Sequence, residues 1–450
     1  MSPEITLPIL AHIIQPSRES LTQDWQDRKI TGIETDTRVL KPGEVFVALV
    51  GEKFDGHHFL ENAVRSRASA LILNQDFSGT IPDEIPQFYV QNTLTAYQKI
   101  AHWWRQQHQI PVIGITGSVG KTTTKELIAG VLSRYGKVLK TEGNYNNEIG
   151  VPKTLLRLNA EHDYAVVEMA MRAKGEIAQL TDITQPTIGL ITNVGTAHIG
   201  RLGSRSAIAQ AKCELLAQMP KTATAILNHD NQRLINTAAT VWDGNTLTYG
   251  LEEGDIHGRL IDSETLAVDD FNFPLPLAGT HNASNYLAAI TVAKALNLDL
   301  TPLQAGIEVT LPGARSRRHV LPNDILFLDE TYNAGVESMI ASLQLLKDTP
   351  GKRHLAVLGT MKELGSESAS LHSQVGDTIA RLHLDHLLVL VDEPETEAIA
   401  TAATAIKSEC FEDKNALVNR LREILTPGDR VLFKASHSVG LDQVLAQFIN

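Results

Sequence analysis

The stretch with the clearest capacity for chemistry is "GITGSVGKTTTKE", Gly114 to Glu126. Gly117, Ser118, Val119 and Gly120 make a glycine-bounded turn, and Lys121, Thr122 and Thr123 come directly after it. Glycines let backbone N–H groups converge on phosphate oxygens, and a helix N-terminus behind them adds a favourable dipole. In that arrangement the Lys121 ammonium reaches the β- and γ-phosphates and the Thr122 hydroxyl holds Mg²⁺. The strict Gly-x4-Gly-Lys-Thr pattern needs glycine at position 115, where this chain has Ile115. Ile115 belongs to the strand before the turn, so the turn itself is intact. The bland alternative is a plain turn with an exposed lysine. The apolar strand before it and the helix after it weigh against that, and ATP binding is expected. What receives the phosphate is left open by the loop.

Other polar residues fall where a partner to this loop would have to sit. Magnesium needs hard oxygen ligands beyond the loop, and Glu168 closes the apolar run "YAVVE". A surface glutamate is the competing reading. Asn193 and His198 lie in "TNVGTAHIGRLGS" after another such run, although a lone loop histidine is usually just solvated. Lys212 shares a helical face with Ile208, Leu215, Leu216 and Met219. A lysine on an inward stripe must snorkel, pair or be chemically altered. His281, Asn282 and Asn285 open a helix in "GTHNASNYLAAI"; asparagine there is ordinarily a cap, though paired amides can also read a base edge.

These side chains need a scaffold that gathers strand ends. Short strand-like runs ("GEVFVALVG", "ASALILN", "QFYV") fill the first block, to about residue 90. A helical pattern, "TLTAYQKIAHWWRQQHQ", leads into "PVIGIT", after which buried-type strands alternate with helices. That alternation implies right-handed crossovers and a largely parallel sheet. "LPGARSRRHV" near 312 reads as a linker, and the strands beyond it suffice for a small doubly wound domain. The expected fold is α/β with three domains, at 1–90, 91–312 and 313–450.

At 450 residues, 43% hydrophobic and 20% charged, the composition is that of a globular multidomain chain. A net charge of -12 argues against a general nucleic-acid or membrane-surface binder. The start, "MSPEITLPILAHII", has no basic region or cleavage site of a signal peptide, and no apolar run has the length of a membrane span. Cys213 and Cys410 give neither a disulfide framework nor a zinc pattern, which fits a reducing cytoplasm.

Taken together, the chain resembles the Mur ligase family, which builds the bacterial cell-wall precursor, over nearly its whole length. "TDTRVLKPGEVFVALVGEKFDGHHF" is similar to the family's UDP-sugar-binding segment and implies substrate contacts at Thr35, Asp36, Arg38, Ala48 and Gly51. "GNYNNEIGVPKTLL" resembles the branch that adds D-alanyl-D-alanine, implying roles for Asn144, Asn146, Asn147 and Glu148. "EMAMRAKGEI", "TNVGTAHIGRLGS", "AKCELL" and "GTHNASN" come in family order, implicating Arg172 in substrate binding and making Asn282 an adenine contact. "LDETYNAGVESM" and "MKELGSES" resemble the same branch. There the nucleotide contacts are Glu330 and Arg315, with Arg317 the alternative, and the substrate contacts are Tyr332, Asn333, Lys434 and Ser436.

The resemblance implies a small α/β UDP-binding domain, a central P-loop ATPase domain and a C-terminal Rossmann-like domain that takes D-alanyl-D-alanine. It implies two Mg²⁺ ions, one near Thr122 and Glu168, another near Glu168, His198 and a Lys212 carbamylated by CO₂. The implied reaction is ATP-dependent amide formation between a UDP-N-acetylmuramoyl-tripeptide and D-alanyl-D-alanine through an acyl phosphate, by a cytoplasmic monomer. The resemblance implies that Lys121, Glu168, His198 and Lys212 carry the catalysis. Departures are Ala314 in place of glycine, Glu330 in place of aspartate, and His437 in place of arginine. The rivals are the sister ligase that adds the third amino acid, whose Asp-Asn-Pro-Arg segment is absent, folylpolyglutamate synthase, a small-molecule kinase, and a P-loop ATPase switch.

Overall fold

The computed structural model describes residues 5–449 apart from 26, 53, 83 and 314. The first sheet has β1 (Gly32–Glu34), β2 (Glu44–Val47), β3 (Ala70–Asn74) and β4 (Gln87–Val90) side by side and parallel, with a short antiparallel strand beyond β4. Alternation along β2 sends Val45 and Val47 to one face and Phe46 to the other, the period-2 pattern of a sheet buried on both sides. Helix α1 (Thr93–Gln106) lays Tyr97 and Ile100 on the first face, while its Ala101 joins the core of the next domain.

The central sheet is nine-stranded among the described residues. It comprises β5 (Val112–Thr116), β6 (Val138–Lys140), β7 (Tyr164–Glu168), β8 (Ile188–Ile191), β9 (Thr224–Asn228), β10 (Asn245–Gly250), β11 (Ile256–Leu260), β12 (Thr265–Val268) and β13 (Phe271–Pro274), in the order β13-β12-β11-β10-β9-β8-β5-β7-β6. All neighbours are parallel except the β11-β12-β13 extension, an antiparallel addition that the helix–strand alternation does not announce. The chain reverses its winding at β5, between β7 and β8, and ligands of open α/β sheets bind at the carboxyl ends of strands at such a switch point. Helix α2 (Lys121–Leu132) packs Leu127, Ile128, Val131 and Leu132 into one core with Tyr286, Leu287 and Ile290 of α4 (Thr280–Ala295). Each such buried side chain contributes about 1.5–3 kcal/mol. Helix α3 (Arg205–Gln218) covers the opposite face.

The third sheet is ordered β14 (Arg317–Leu321), β15 (Ile325–Asp329), β19 (Asp429–Lys434), β16 (Arg353–Gly359), β17 (His386–Leu390), β18 (Lys407–Phe411), parallel except for β14. Helix α5 (Val336–Asp348) lies on it. The α/β class with three principal sheets agrees with the three α/β domains the sequence led us to expect; a two-stranded pair, Ile5–Thr6 with Lys29–Ile30, stands apart. One correction concerns "LPGARSRRHV": its second half is not a linker but the edge strand β14, paired with β15 from Arg317–Asp329 to Leu321–Ile325. A charged run is compatible with an edge, where arginines discourage pairing with another chain. Ala314 lies outside the described residues.

Candidate functional site

The P-loop forms as its residue types dictate. Gly120 adopts φ +83, a left-handed conformation, and a Cβ there would lie 2.7 Å from Asn285 Oδ1, so backbone shape and space both require glycine. Asn193 holds the turn from outside. Val119 N donates to Asn193 Oδ1 (3.0 Å), and Asn193 Nδ2 donates back to Val119 O (3.0 Å). Gly195 N donates to Ser118 Oγ (2.8 Å). Lys121 folds back over the turn, donating to Gly117 O (2.8 Å), where a phosphate would otherwise receive it. Burial holds its ammonium below the usual range, with Glu168 opposing and Arg315 adding to the shift.

Glu168 ends β7 and is buried. Its Oε1 accepts from Thr122 Oγ1 (3.2 Å) and Asn146 Nδ2 (2.8 Å), while its Oε2 is buried with no hydrogen bond. The nearest cation to Oε2 is Lys125 Nζ, at 3.9 Å. A buried carboxylate oxygen left unpaired beside a P-loop threonine fits a hard divalent cation. Lys125, which the sequence reading did not single out, is wholly buried. It donates to Thr141 O (2.8 Å) and pairs with Glu126 Oε1 (2.9 Å).

His198 sits at φ +65, left-handed for a residue with a side chain, at the start of a short turn of helix, Ile199–Leu202. Its Nδ1 meets Glu363 Oε2 at 2.5 Å. A carboxylate only accepts, so the proton of that bond is on Nδ1 and Nε2 is left for another partner. Burial lowers the imidazole pKa, Glu363 opposes that, and Lys121 and Lys212 push it further down. Lys212 itself is buried at 2% exposure, so it does not snorkel. Its pKa is driven far below the ordinary value by burial and then by Lys121, with only Cys213 opposing among the described residues. Among the described residues no three His, Cys, Asp or Glu side chains converge as a metal cage.

A cavity of about 500 Å³ gathers residues of the central and third domains. Of the residues expected from sequence it is lined by Ser118, Val119, Gly120, Lys121, Thr122, Thr123, Asn144, Asn146, Glu168, His198, Asn282, Arg315, Glu330, Tyr332, Asn333 and Lys434. Gly117 opens the loop without lining the cavity. Asn282 is not a cap: Gly279 holds that position, and Asn282, buried one turn in, donates to Ala278 O (2.7 Å). The Arg315 guanidinium lies 3.6 Å over the Tyr332 ring, which stacks on His437. Arg317 and Arg318 line a separate small cavity instead. Glu330 accepts from Ser316 N and Oγ (both 3.1 Å) and faces Lys434 Nζ at 3.8 Å. Lys434 Nζ donates to Asn333 O (3.0 Å), and burial lowers its pKa.

The remaining expected contacts lie outside this cavity. Asp36 and Arg38 form a bidentate pair on the first domain, with Nη2 to Oδ2 at 2.6 Å, and hydrogen bonding by Arg38 lowers the Asp36 pKa to about 2. Tyr145 and Lys153 of the central domain bear electrostatically on this pair, so the first domain faces the segment that contains Asn144 and Asn146. Thr35 N donates to Glu34 Oε1 (2.7 Å), Ala48 O accepts from Thr93 Oγ1 (2.9 Å), and Gly51 N donates to Phe54 O (2.9 Å). Asn147 Oδ1 accepts from Gly150 N (2.9 Å) at the start of a helix, and Glu148 O accepts from Gln98 Nε2 (3.0 Å). Arg172 is exposed, and Ser436 Oγ accepts from Lys362 N (2.9 Å). The sequence reading missed Glu337 and Glu363, which reach the central domain from the third.

Fold and site together define a three-domain P-loop protein whose phosphate loop opens into a cavity shared with the third domain. Residues 29–101 match the Mur ligase family catalytic domain, 115–293 the Mur ligase middle domain and 315–437 the Mur ligase glutamate ligase domain. The chain is 54% identical over 449 residues (100% of this chain, 98% of the relative) to the UDP-N-acetylmuramoyl-tripeptide–D-alanyl-D-alanine ligase of Synechocystis sp.. It is 37% identical to the ligase of the same name from Escherichia coli, over 93% of this chain and 94% of that one. Among solved structures it superposes on MurF from Acinetobacter baumannii with a TM-score of 0.89 at 31% identity, covering 99% of each chain. It superposes on MurF from Thermotoga maritima in complex with ADP at 0.82 and 30% identity, covering 93% of this chain and 96% of that one. The chain belongs to the Mur ligase family.

Proposed function

We propose that this chain is an ATP-dependent acid–D-amino-acid ligase that joins D-alanyl-D-alanine to a UDP-N-acetylmuramoyl-tripeptide, releasing ADP and phosphate. The observation that carries the reading is the composition of the 500 Å³ cavity. Phosphate-binding backbone and Lys121 come from the central domain, while Arg315, Tyr332, Asn333 and Lys434 come from the third. An enzyme that only hydrolysed ATP would not need the third domain's polar wall.

In the proposed sequence the tripeptide's terminal carboxylate attacks the γ-phosphorus in line. The bond to the β,γ-bridging oxygen breaks and ADP leaves. The neutral amine of D-alanyl-D-alanine then attacks the acyl carbon; phosphate leaves with the electrons of the acyl C–O bond, and the nitrogen gives up a proton to solvent as the amide forms. Lys121, released from Gly117 O, neutralises charge on the transferring group, and Arg315 approaches the same cavity from the opposite wall. Magnesium, when bound, supplies further positive charge against the phosphate oxygens; Thr122 and Glu168 would hold one ion, and His198 with a carbamylated Lys212 would complete a second site with Glu168. Asn146 keeps Glu168 oriented. Asn282 and Glu330 are assigned to the adenosine. Thr35, Asp36, Arg38, Ala48 and Gly51 are assigned to the UDP moiety, and Asn144, Asn147, Glu148, Arg172 and Ser436 to the peptide ends. Domain borders at 1–90, 91–312 and 313–450, monomeric behaviour and a cytoplasmic site of action belong to the same reading. No helix among the described residues is long and apolar enough to cross a membrane.

The deciding assay supplies ATP, Mg²⁺ and D-alanyl-D-alanine with UDP-tripeptides ending in diaminopimelate or in lysine. Phosphate release matched by pentapeptide formation is the expected result, and the better tripeptide reports the third-residue preference. Phosphate release that needs neither co-substrate would make the chain a switch ATPase, and no release with either tripeptide would sink the reading.

A further inference from the structure

We propose that Glu363 is a positioning residue for the ligase reaction: from the third domain it orients the His198 imidazole, so the His198 side of the phosphate site is complete only when that domain is docked. The proposal rests on the ligase reading and deepens it. Loop 193–203 is gripped on two sides. At its root, Asn193 and Gly195 are hydrogen-bonded to the P-loop. Asn231 of the central domain donates to Val194 O (3.1 Å), and the third domain holds the part around Thr196–Gly200. Glu337 accepts from Thr196 N (2.8 Å) and Thr196 Oγ1 (2.9 Å), and Glu363 O accepts from Gly200 N (3.1 Å). Gly200 and Gly365 pack backbone to backbone, so that a Cβ on Gly200 would lie 2.6 Å from Gly365 N.

Glu363 makes the one hydrogen bond to the His198 ring among the described residues, at 2.5 Å. Its other oxygen accepts from Arg201 Nε (3.1 Å) and Nη2 (2.9 Å), which fixes the carboxylate's own plane. Both ends of the contact are strained: His198 has φ +65 and Glu363 has φ +64. Left-handed non-glycine residues persist where the surroundings over-determine them, and such sites cluster at functional centres. An ordinary exposed ion pair would not need two strained backbones facing each other. A carboxylate on one imidazole nitrogen fixes which nitrogen is free and where it points, the arrangement that orients histidines at metal and phosphate sites. "MKELGSES", which contains Glu363, had no assigned role from its sequence alone.

The test uses the full chain with ATP, Mg²⁺, UDP-tripeptide and D-alanyl-D-alanine. Glu363→Ala is expected to lower kcat by about 10–100-fold, the range typical of lost outer partners of this kind. KM for the UDP-tripeptide, bound largely by the first domain, should stay within about twofold of wild type. Glu363→Gln, whose amide oxygen still accepts from Nδ1, should lose less. Arg201→Ala leaves the histidine contact in place and should cost less than about threefold. Hydrogen exchange read on the apo protein should show amides 196–203 opening in Glu363→Ala and staying protected in Glu363→Gln. If Glu363→Ala does not fold, the isosteric Glu363→Gln carries the test, with a kcat loss larger than that of Arg201→Ala expected. Wild-type kcat in both Glu363 variants would overturn the proposal. So would an equal loss in Arg201→Ala, which would make the pair a simple domain clasp. A wild-type chain that does not couple phosphate release to pentapeptide formation defeats the ligase reading instead, and the exchange experiment is still informative.

Discussion

At the scale of single residues, the site is a set of charges placed where their ordinary protonation is costly. Lys212 is the extreme case: burial, with Lys121 adding, drives its ammonium toward the neutral amine. A neutral amine is the form that adds CO₂ and releases a proton to give a carbamate, an anion that cancels the repulsion from Lys121. If a Lys212 carbamate helps hold the second ion as proposed, Lys212→Ala should lose about 100-fold or more in kcat, the several kcal/mol that a metal ion supplies, and short-chain carboxylates should restore part of it. Full activity of the alanine variant without added carboxylate would remove the carbamate from the account. His281 shows the same physics with a pH consequence. Burial, with Lys434 adding, lowers its pKa to about 4 from the usual 6.5. Between those values the unfolded chain binds the proton and the folded chain does not. Stability from this group is thus complete above pH 6.5 and falls as pH drops toward 4. His281→Gln should flatten the pH dependence of the unfolding midpoint over pH 4–6.5, and an unchanged slope would show that the imidazole is not held neutral.

At the scale of elements, β5, β7 and β8 end side by side, and their carboxyl ends carry the P-loop, Glu168 and the Asn193–His198 loop. This much was legible because strand ends in a parallel sheet converge and apolar runs mark where strands stop. Lys212 was legible because helical periodicity put it among Leu and Ile side chains. Glu363 and Glu337 were not, since their partners lie 165 and 141 residues away and only the docking of two domains brings them together. Lys125 escaped notice for a different reason. "TKE" on a helix reads as a solvated face, yet α2 is buried on both sides, and Lys125 sits between Glu126 and Glu168. The edge strand β14 was hidden by its arginines. Lys125→Met should destabilise the central domain by about 3–5 kcal/mol, the cost of leaving the buried Glu168 carboxylate without a cation, since Glu126 keeps Lys140 through its other oxygen. Adding Glu168→Gln should recover part of that loss, because the uncompensated charge is then gone. Thermal unfolding of the single and double variants checks this, and strictly additive losses would show that the two side chains are not coupled.

At the scale of the whole molecule, both seams between domains have apolar contacts, and the seam with the third domain adds exposed charged ones. The first domain is bolted to the second through α1, whose Tyr97 and Ile100 lie in one core and Ala101 in the other. Arg105 donates to Thr184 O (3.0 Å) and Gln98 to Glu148 O (3.0 Å) across the same helix. The third domain meets loop 193–203 through the carboxylates of Glu337 and Glu363, and the groups around Glu363 are solvent-accessible: Arg201 is 50% exposed and Glu363 36%. Salt shortens the Debye length from about 10 Å at 0.1 M to about 3 Å at 1 M, which weakens exposed pairs and leaves apolar packing intact or stronger. Raising salt should therefore loosen the third domain alone. In solution scattering of the apo protein the radius of gyration should rise between 0.1 M and 1 M salt, and Glu363→Ala should show the larger value already at 0.1 M. Spin-label distances between the first and second domains should stay constant over the same range. A ligase that must admit a UDP-peptide and ATP, close, and then release ADP has use for one seam that opens and one that does not. If the radius is the same at both salt concentrations, the charged contacts do not govern docking, and the opening seam would have to be sought in the apolar contacts between the second and third domains.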